Sequence, residues 1–181
     1  MRAVQIMRRR RVLSAVVGGI LAGSLSPLGV AHADGPSTAI CAWSGKATFS
    51  PGLTFTPQRG TLQFDGRSGS IDCRGAIRGA AVTGPGTLGL QGEYGRGPLS
   101  QAFGGGACHE GGARFLFAIT VPTTKGPVEL STTADAEHIG PLGQYQGPAF
   151  SGALRFSPAT GDCVNSPATE LEVSGQGVLR T

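Results

Sequence analysis

What these 181 residues lack most is uninterrupted chain. Beyond residue 33, the longest stretch free of both glycine and proline is Val128 to Ile139, twelve residues, and the next is Ala113 to Val121, nine. An interior glycine costs a helix about 1 kcal/mol and a proline about 3, so long helices are excluded. Helices of one or two turns still fit, with Ser131 to Ile139 as the candidate and Thr132 or Thr133 as its cap. Basic charge is also scarce where it would matter. The first 33 residues hold five of the thirteen arginines and no acid, whereas residues 34–181 hold 10 Lys+Arg against 11 Asp+Glu. The net charge of that part is −1 rather than the +4 of the whole, which excludes a polybasic nucleic-acid or anionic-membrane binder. No C-x-x-C pair is present, so the close cysteine pairs of a zinc site are missing. The one G-x-G-x-x-G, Gly84 to Gly89, contains Pro85 and no helix can follow it, which excludes a dinucleotide fingerprint. No cofactor is expected.

What is present begins with a leader. Arg8 to Arg11 form a charged segment, Val12 to Val30 an apolar one, and Ala31-His32-Ala33 a small-x-small cleavage site. Residues 1–33 are therefore expected to be a signal peptide and residues 34–181 a single secreted β-domain. Gly18, Gly19, Gly23 and Pro27 break up the apolar segment, making it a poor spanning helix. Arg9-Arg10-Arg11-Val12-Leu13 is a loose twin-arginine pattern, which leaves the export route open. No second apolar run could span a bilayer, so stable membrane insertion after leader removal is not expected.

Cys41, Cys73, Cys108 and Cys163 make an even set in an oxidising compartment, and two disulfides are the expectation. Three connectivities are open. Strands adjacent in sequence usually pair in space, which favours Cys41–Cys73 and Cys108–Cys163.

Alternating apolar residues recur along the chain. Phe115, Phe117, Ile119 and Val121 share one face, as do Phe150, Leu154 and Phe156, and Leu171, Val173 and Leu179. Glycine-diluted runs follow the same pattern at Ile40 to Phe49, Thr61 to Phe64, Ser70 to Ile77, Thr87 to Gly92 and Val128 to Ser131. Turn signals at Ser50-Pro51-Gly52, Asp65-Gly66, Gly84-Pro85-Gly86 and Pro158 to Asp162 separate them. A period of two with one wet face reads as antiparallel sheet. The fold expected is all-β, an antiparallel sandwich or small β-barrel of eight to ten short strands, disulfide-stapled.

Candidate sites are few. Trp43, Tyr94 and Tyr145 could form an aromatic platform for a ligand, although Trp43 shares a strand face with Cys41 and could equally pack on a disulfide. His109-Glu110 and His138 are the one histidine-based cluster, read either as metal ligands or a catalytic base with its orienter, or as two surface histidines. On a strand, His109 and Glu110 would point to opposite faces. The glycines flanking Cys108 read as a flexible hairpin tip stapled by the cysteine. No nucleophile elbow is present, and nothing marks two carboxylates as a facing pair.

At Cys41-x-x-Ser44-Gly45, Phe49-Ser50-Pro51-Gly52-Leu53, Cys73-x-Gly75, Gly106-x-Cys108 and Gly161-Asp162-Cys163, the chain resembles a loose group of exported, glycine-rich, four-cysteine actinobacterial proteins. The resemblance implies exported β-structure and assigns no activity and no functional residue. The expected function is a secreted, non-enzymatic β-domain binding a partner protein, a glycan or a small apolar ligand at or outside the cell envelope. The alternative is a secreted hydrolase using acidic residues or His109 and His138.

Overall fold

A computed structural model describes residues 37–64 and 69–181. The leader with its cleavage site, and the turn at Asp65-Gly66, lie outside the described residues. Ten strands and one short helix follow in order: β1 (Thr38–Leu53), β2 (Gly60–Phe64), β3 (Gly69–Ile77), β4 (Ala80–Ala81), β5 (Gly86–Tyr94), α1 (Pro98–Phe103), β6 (Glu110–Thr123), β7 (Gly126–Ile139), β8 (Leu142–Gln146), β9 (Phe150–Thr160) and β10 (Ala168–Arg180).

The sheet closes on itself. β1 pairs antiparallel with β3 through Ala39–Ser44 and with β2 through Ala47–Ser50. β5 does likewise, with Gly86–Leu88 on β3 and Gln91–Tyr94 on β2. β2 and β3 therefore share one strand position. From β5 each strand pairs antiparallel with the next, and β10 pairs back with β1 from Thr38↔Arg180 to Thr48↔Glu170. Of the two architectures open from sequence, the β1–β10 ladder selects the barrel, in up-and-down form with eight strand positions. A barrel of this size has an interior just wide enough to be filled by side chains or to hold one small ligand.

Pleat alternation decides what fills it. Ala39, Cys41 and Trp43 of β1, Phe115 to Val121 at every second residue of β6, and Leu171 and Leu179 of β10 are buried. Their outward neighbours include charged Arg114, Glu170, Glu172 and Arg180 among small and apolar residues. Charges spread over the exterior of an apolar interior are the inverse of a lipid-facing barrel. Among the described residues, no helix is long and apolar enough to cross a membrane.

Several strands are longer than the punctuation of the sequence suggested, because glycine and proline lie inside them. The expected turn at Ser50-Pro51-Gly52 is instead a register irregularity within β1, between Thr48 and Leu53. Gly175 and Gly177 of β10 face inward under large rings. A Cβ at Gly175 would overlap the Trp43 indole, and one at Gly177 the Tyr145 hydroxyl. Backbone without side chain is what lets these rings occupy the barrel axis.

The expected helix at Ser131 to Ile139 is strand β7. Its inward residues Thr132, Ala134 and Ala136 are small and only weakly apolar, so period two is hard to see, yet Thr132 and Ala134 fit opposite Phe117 and Phe115 of β6. The helix that does form is α1, with Pro98 in its first turn and Gly104 closing it at φ 84°.

The cysteines pair as Cys41–Cys73 and Cys108–Cys163. The first joins register partners of β1 and β3, with Cα atoms 4.0 Å apart. The second ties the segment before β6 to the one before β10. Bonded cysteines throughout suit an oxidising compartment.

Candidate functional site

The two ends of the barrel differ. One end carries three long connections, residues 54–59, the 95–109 segment with α1 and residues 161–167, together with the tight turn at 140–141. Toward the opposite end the interior is solid. Trp43, Phe117, Tyr145 and Phe150 meet edge to face, with centroid separations from 5.1 Å (Tyr145–Phe150) to 5.8 Å (Trp43–Tyr145). The Trp43 indole Nε1–H donates to Tyr145 Oη at 3.1 Å. Burial pushes the Tyr145 phenol up to about 12 against the opposing effect of that hydrogen bond.

Trp43, Tyr94 and Tyr145 thus lie inside the barrel, only 4%, 3% and 2% exposed, and not as a surface platform. Tyr94 Oη donates to the Pro51 carbonyl at 2.7 Å, and burial raises its phenol as well.

Above the aromatic plug, the half nearer the long connections contains a cavity of about 70 Å³. Small side chains leave room among larger ones: Ala47 of β1 pairs with Phe64 and Leu171, and Ala113 of β6 lies between Tyr94 of β5 and Ala136 of β7. Trp43 and Phe64 line it from below, and Phe156 and Val173 from the side. Gly106 and Ala107 contribute from the 95–109 segment. Almost no polar atom faces the space.

Gly104 to Cys108, expected as a flexible hairpin tip, is instead a strap bonded across this end. Gln58 and Gly106 exchange backbone hydrogen bonds at 3.0 and 2.8 Å, Cys108 N donates to Thr54 O at 2.9 Å, and Ala107 N donates to Glu110 O at 2.8 Å. The Cys108–Cys163 disulfide pins it further. Buried Ser100 on α1 accepts from Gly112 N at 2.7 Å, which anchors the helix to β6. Compared with known protein families, curated proteins and solved structures, the chain matches none. The site is therefore read from its own residues.

The structure brings His109, Glu110 and His138 together beside the cavity. Gly111 opposes His138 in the β6–β7 ladder, and His109 O accepts from Gly140 N at 2.7 Å. His109 Nε2 lies 3.2 Å from Glu110 Oε1. Sequence reasoning sent these two neighbours to opposite faces, but His109 precedes β6, where pleat alternation does not apply. Each imidazole also packs on an aromatic ring, His109 stacked on Phe55 at 5.4 Å and His138 edge-on to Phe156 at 4.7 Å. His138 Nδ1 donates to the Gly140 carbonyl at 3.2 Å in the neutral tautomer. Burial holds the His138 imidazolium below its usual range. The Gly140 hydrogen bond opposes that, His109 adds to it, and Glu110 opposes it. Among the described residues, no three His, Cys, Asp or Glu side chains converge as a metal site.

Sequence reading missed the alanine layer that leaves the void. It also missed an apolar rim. Phe55, Phe103, Ile139, Leu142 and Val164 are all exposed, and all lie on the connections or strand ends at the strapped end.

Proposed function

We propose that this chain is an exported, non-enzymatic binding barrel that takes a small apolar group into the cavity beneath the strap. The observation that carries the reading is the recess walled by carbon, at the end of the barrel where exposed apolar side chains gather. Its volume is about half that of an engineered cavity of ~150 Å³ that stays dry and admits benzene. The group it suits is the end of an alkyl chain, with the rest of the ligand lying across Phe55, Ile139 and Leu142. The leader-like segment before residue 34 and the two disulfides support export, and the near-neutral domain supports an uncharged ligand end. A binding role is also supported by how the histidines are used: both are engaged with aromatic rings, and His138 is held neutral by burial rather than poised beside a nucleophile.

The test is a titration with linear alcohols from propanol to octanol, followed by methyl NMR. Shifts at the Ala47, Ala113 and Ala136 methyls, lost in Ala136→Leu, are the result expected. Ala113→Val, a smaller filling, serves if Ala136→Leu does not fold. Shifts confined to exposed Ile139 and Leu142, or unchanged by filling the cavity, would overturn the proposal.

A further inference from the structure

A second recess lies on the outside of the barrel, separate from the interior cavity. It is an open groove of about 1160 Å³ beside α1, over the outer face of β5 to β9. Register places four of its side chains in one row. Glu93 opposes Arg114, Arg114 opposes Asp135, and Asp135 opposes Gln146, on four consecutive strand positions. The next row pairs Glu137 with Gln144. Pro98 and Gln101 of α1 also line the groove.

The charges in this groove are engaged with partners. Arg114 holds Asp135 through two hydrogen bonds, Nε to Oδ1 at 2.7 Å and Nη2 to Oδ2 at 3.0 Å. Arg96 holds Glu93, with Nη2 to Oε2 at 2.6 Å. Glu137 Oε1 accepts from Leu99 N at 3.2 Å. Arg96 and Arg114 stand against three carboxylates, so the groove keeps one net negative charge, on Glu137, and disfavours an anionic polymer. What remains is a close array of donors and acceptors: the outer N–H groups and lone pairs of the ion pairs, and the amides of Gln101, Gln144 and Gln146. Such an array suits hydroxyl groups, each of which donates and accepts at once. The hydrogen bond from Arg114 holds the Asp135 carboxyl below its usual range, so it stays ionised as an acceptor and is unsuited to act as a proton-donating acid.

From the paired arginines, the amides and the length of the row, we infer that this groove binds a neutral, polyhydroxylated glycan segment. The sugars are held through their hydroxyl edges, since the groove offers no exposed aromatic face for stacking. Contacts of this kind, made in exchange for water, give weak binding of about millimolar Kd. Strength in use would then come from several sites acting on one polymer. This inference is independent of the apolar cavity, and either can fail without the other.

The experiment is amide and side-chain NMR on the whole domain, titrated with maltohexaose, cellohexaose and mannohexaose, and with a hexamer of galacturonic acid as the charged comparison. The result expected is shifts at the Gln144 and Gln146 side-chain amides and the Arg114 Nε–H with at least one neutral hexamer. The double variant Gln144→Ala/Gln146→Ala should weaken that binding about fivefold or more, with an unchanged melting temperature because both residues face outward. Shifts with the uronic-acid hexamer alone would overturn the neutral-glycan assignment. Absence of shifts at these residues with every neutral hexamer at about ten times the expected Kd, or an unchanged affinity in the double variant, would overturn the site itself.

Discussion

Phe117 is the side chain on which the solid half of the barrel turns, so Phe117→Ala is the most informative single substitution. The ring is fully buried and meets Phe115 at 4.9 Å, Phe150 at 5.2 Å, and Trp43 and Tyr145 at 5.5 Å. Truncating a buried phenylalanine costs about 3–5 kcal/mol through lost transfer energy and the cavity left behind. Four edge-to-face partners, each contributing roughly 0.5–1.5 kcal/mol beyond area, place the cost toward the upper part of that range. The rings around Phe117 cannot collapse inward, because Tyr145 is held by the Trp43 hydrogen bond and Trp43 lies over Gly175. Against a domain stability of about 5–15 kcal/mol, this is roughly a quarter or more of the total. In urea unfolding followed by Trp43 fluorescence, a loss of about 4 kcal/mol with a slope near 2 kcal/mol/M lowers the midpoint by about 2 M. Phe55→Ala, half exposed on a connection, is the control and should cost under about 1 kcal/mol. If Phe117→Ala also cost under 1 kcal/mol, or matched Phe55→Ala, the closed, ring-filled interior would be refuted.

Three further outcomes are expected. Burial lowers the folded-state pKa of His138, so below about pH 6.5 the unfolded chain takes up a proton that the folded one resists. Stability is therefore fully present above that pH and declines as pH falls below it. His109 and Glu110 modulate the slope, and His138→Gln should flatten it in unfolding curves taken at pH 7.5, 6 and 5; an equal slope in the variant would assign it elsewhere. Reduction of Cys41–Cys73 and Cys108–Cys163 removes two loop closures of roughly 4 kcal/mol each and should lower the melting temperature by well over 10 °C or unfold the domain; two thiols titrated in the native protein would contradict the pairing. Both tyrosines should ionise above the free value of 10 while the fold persists, with Tyr145 reaching its midpoint at about 12. Absorbance at tyrosinate wavelengths that rises by a full tyrosine near pH 10 without unfolding would show the rings are not buried as described.

The strands whose inward residues are large were legible from sequence. Phe115, Phe117, Ile119 and Val121 announce β6, and Leu171, Val173 and Leu179 announce β10, because nothing but period two accounts for them. β7 was misread for the converse reason: its inward Thr132, Ala134 and Ala136 complement large neighbours that only the closed barrel supplies. The turn expected at Ser50-Pro51-Gly52 cut β1 too short, since those residues continue the strand through a register irregularity. α1 carries its own signal in Pro98 at its start and Gly104 at its end.

The site was less legible still. A cavity is an absence of volume, made by alanines on three strands that are distant in sequence, and it has no motif. The rim behaves likewise, with Phe55, Ile139, Leu142 and Val164 each unremarkable alone and grouped only by the topology. The histidine cluster could be suspected from composition, but its geometry depends on where β6 begins, and strand boundaries are the least certain part of a sequence reading.

The most direct measurement of the central claim is diffraction from crystals of the domain under xenon pressure. The expected result is a single strong xenon peak inside the barrel, among Ala47, Ala113 and Ala136, with no ordered water there beforehand. Water molecules hydrogen-bonded in that space, or xenon bound solely on the exposed rim, would contradict an apolar cavity built to receive a ligand.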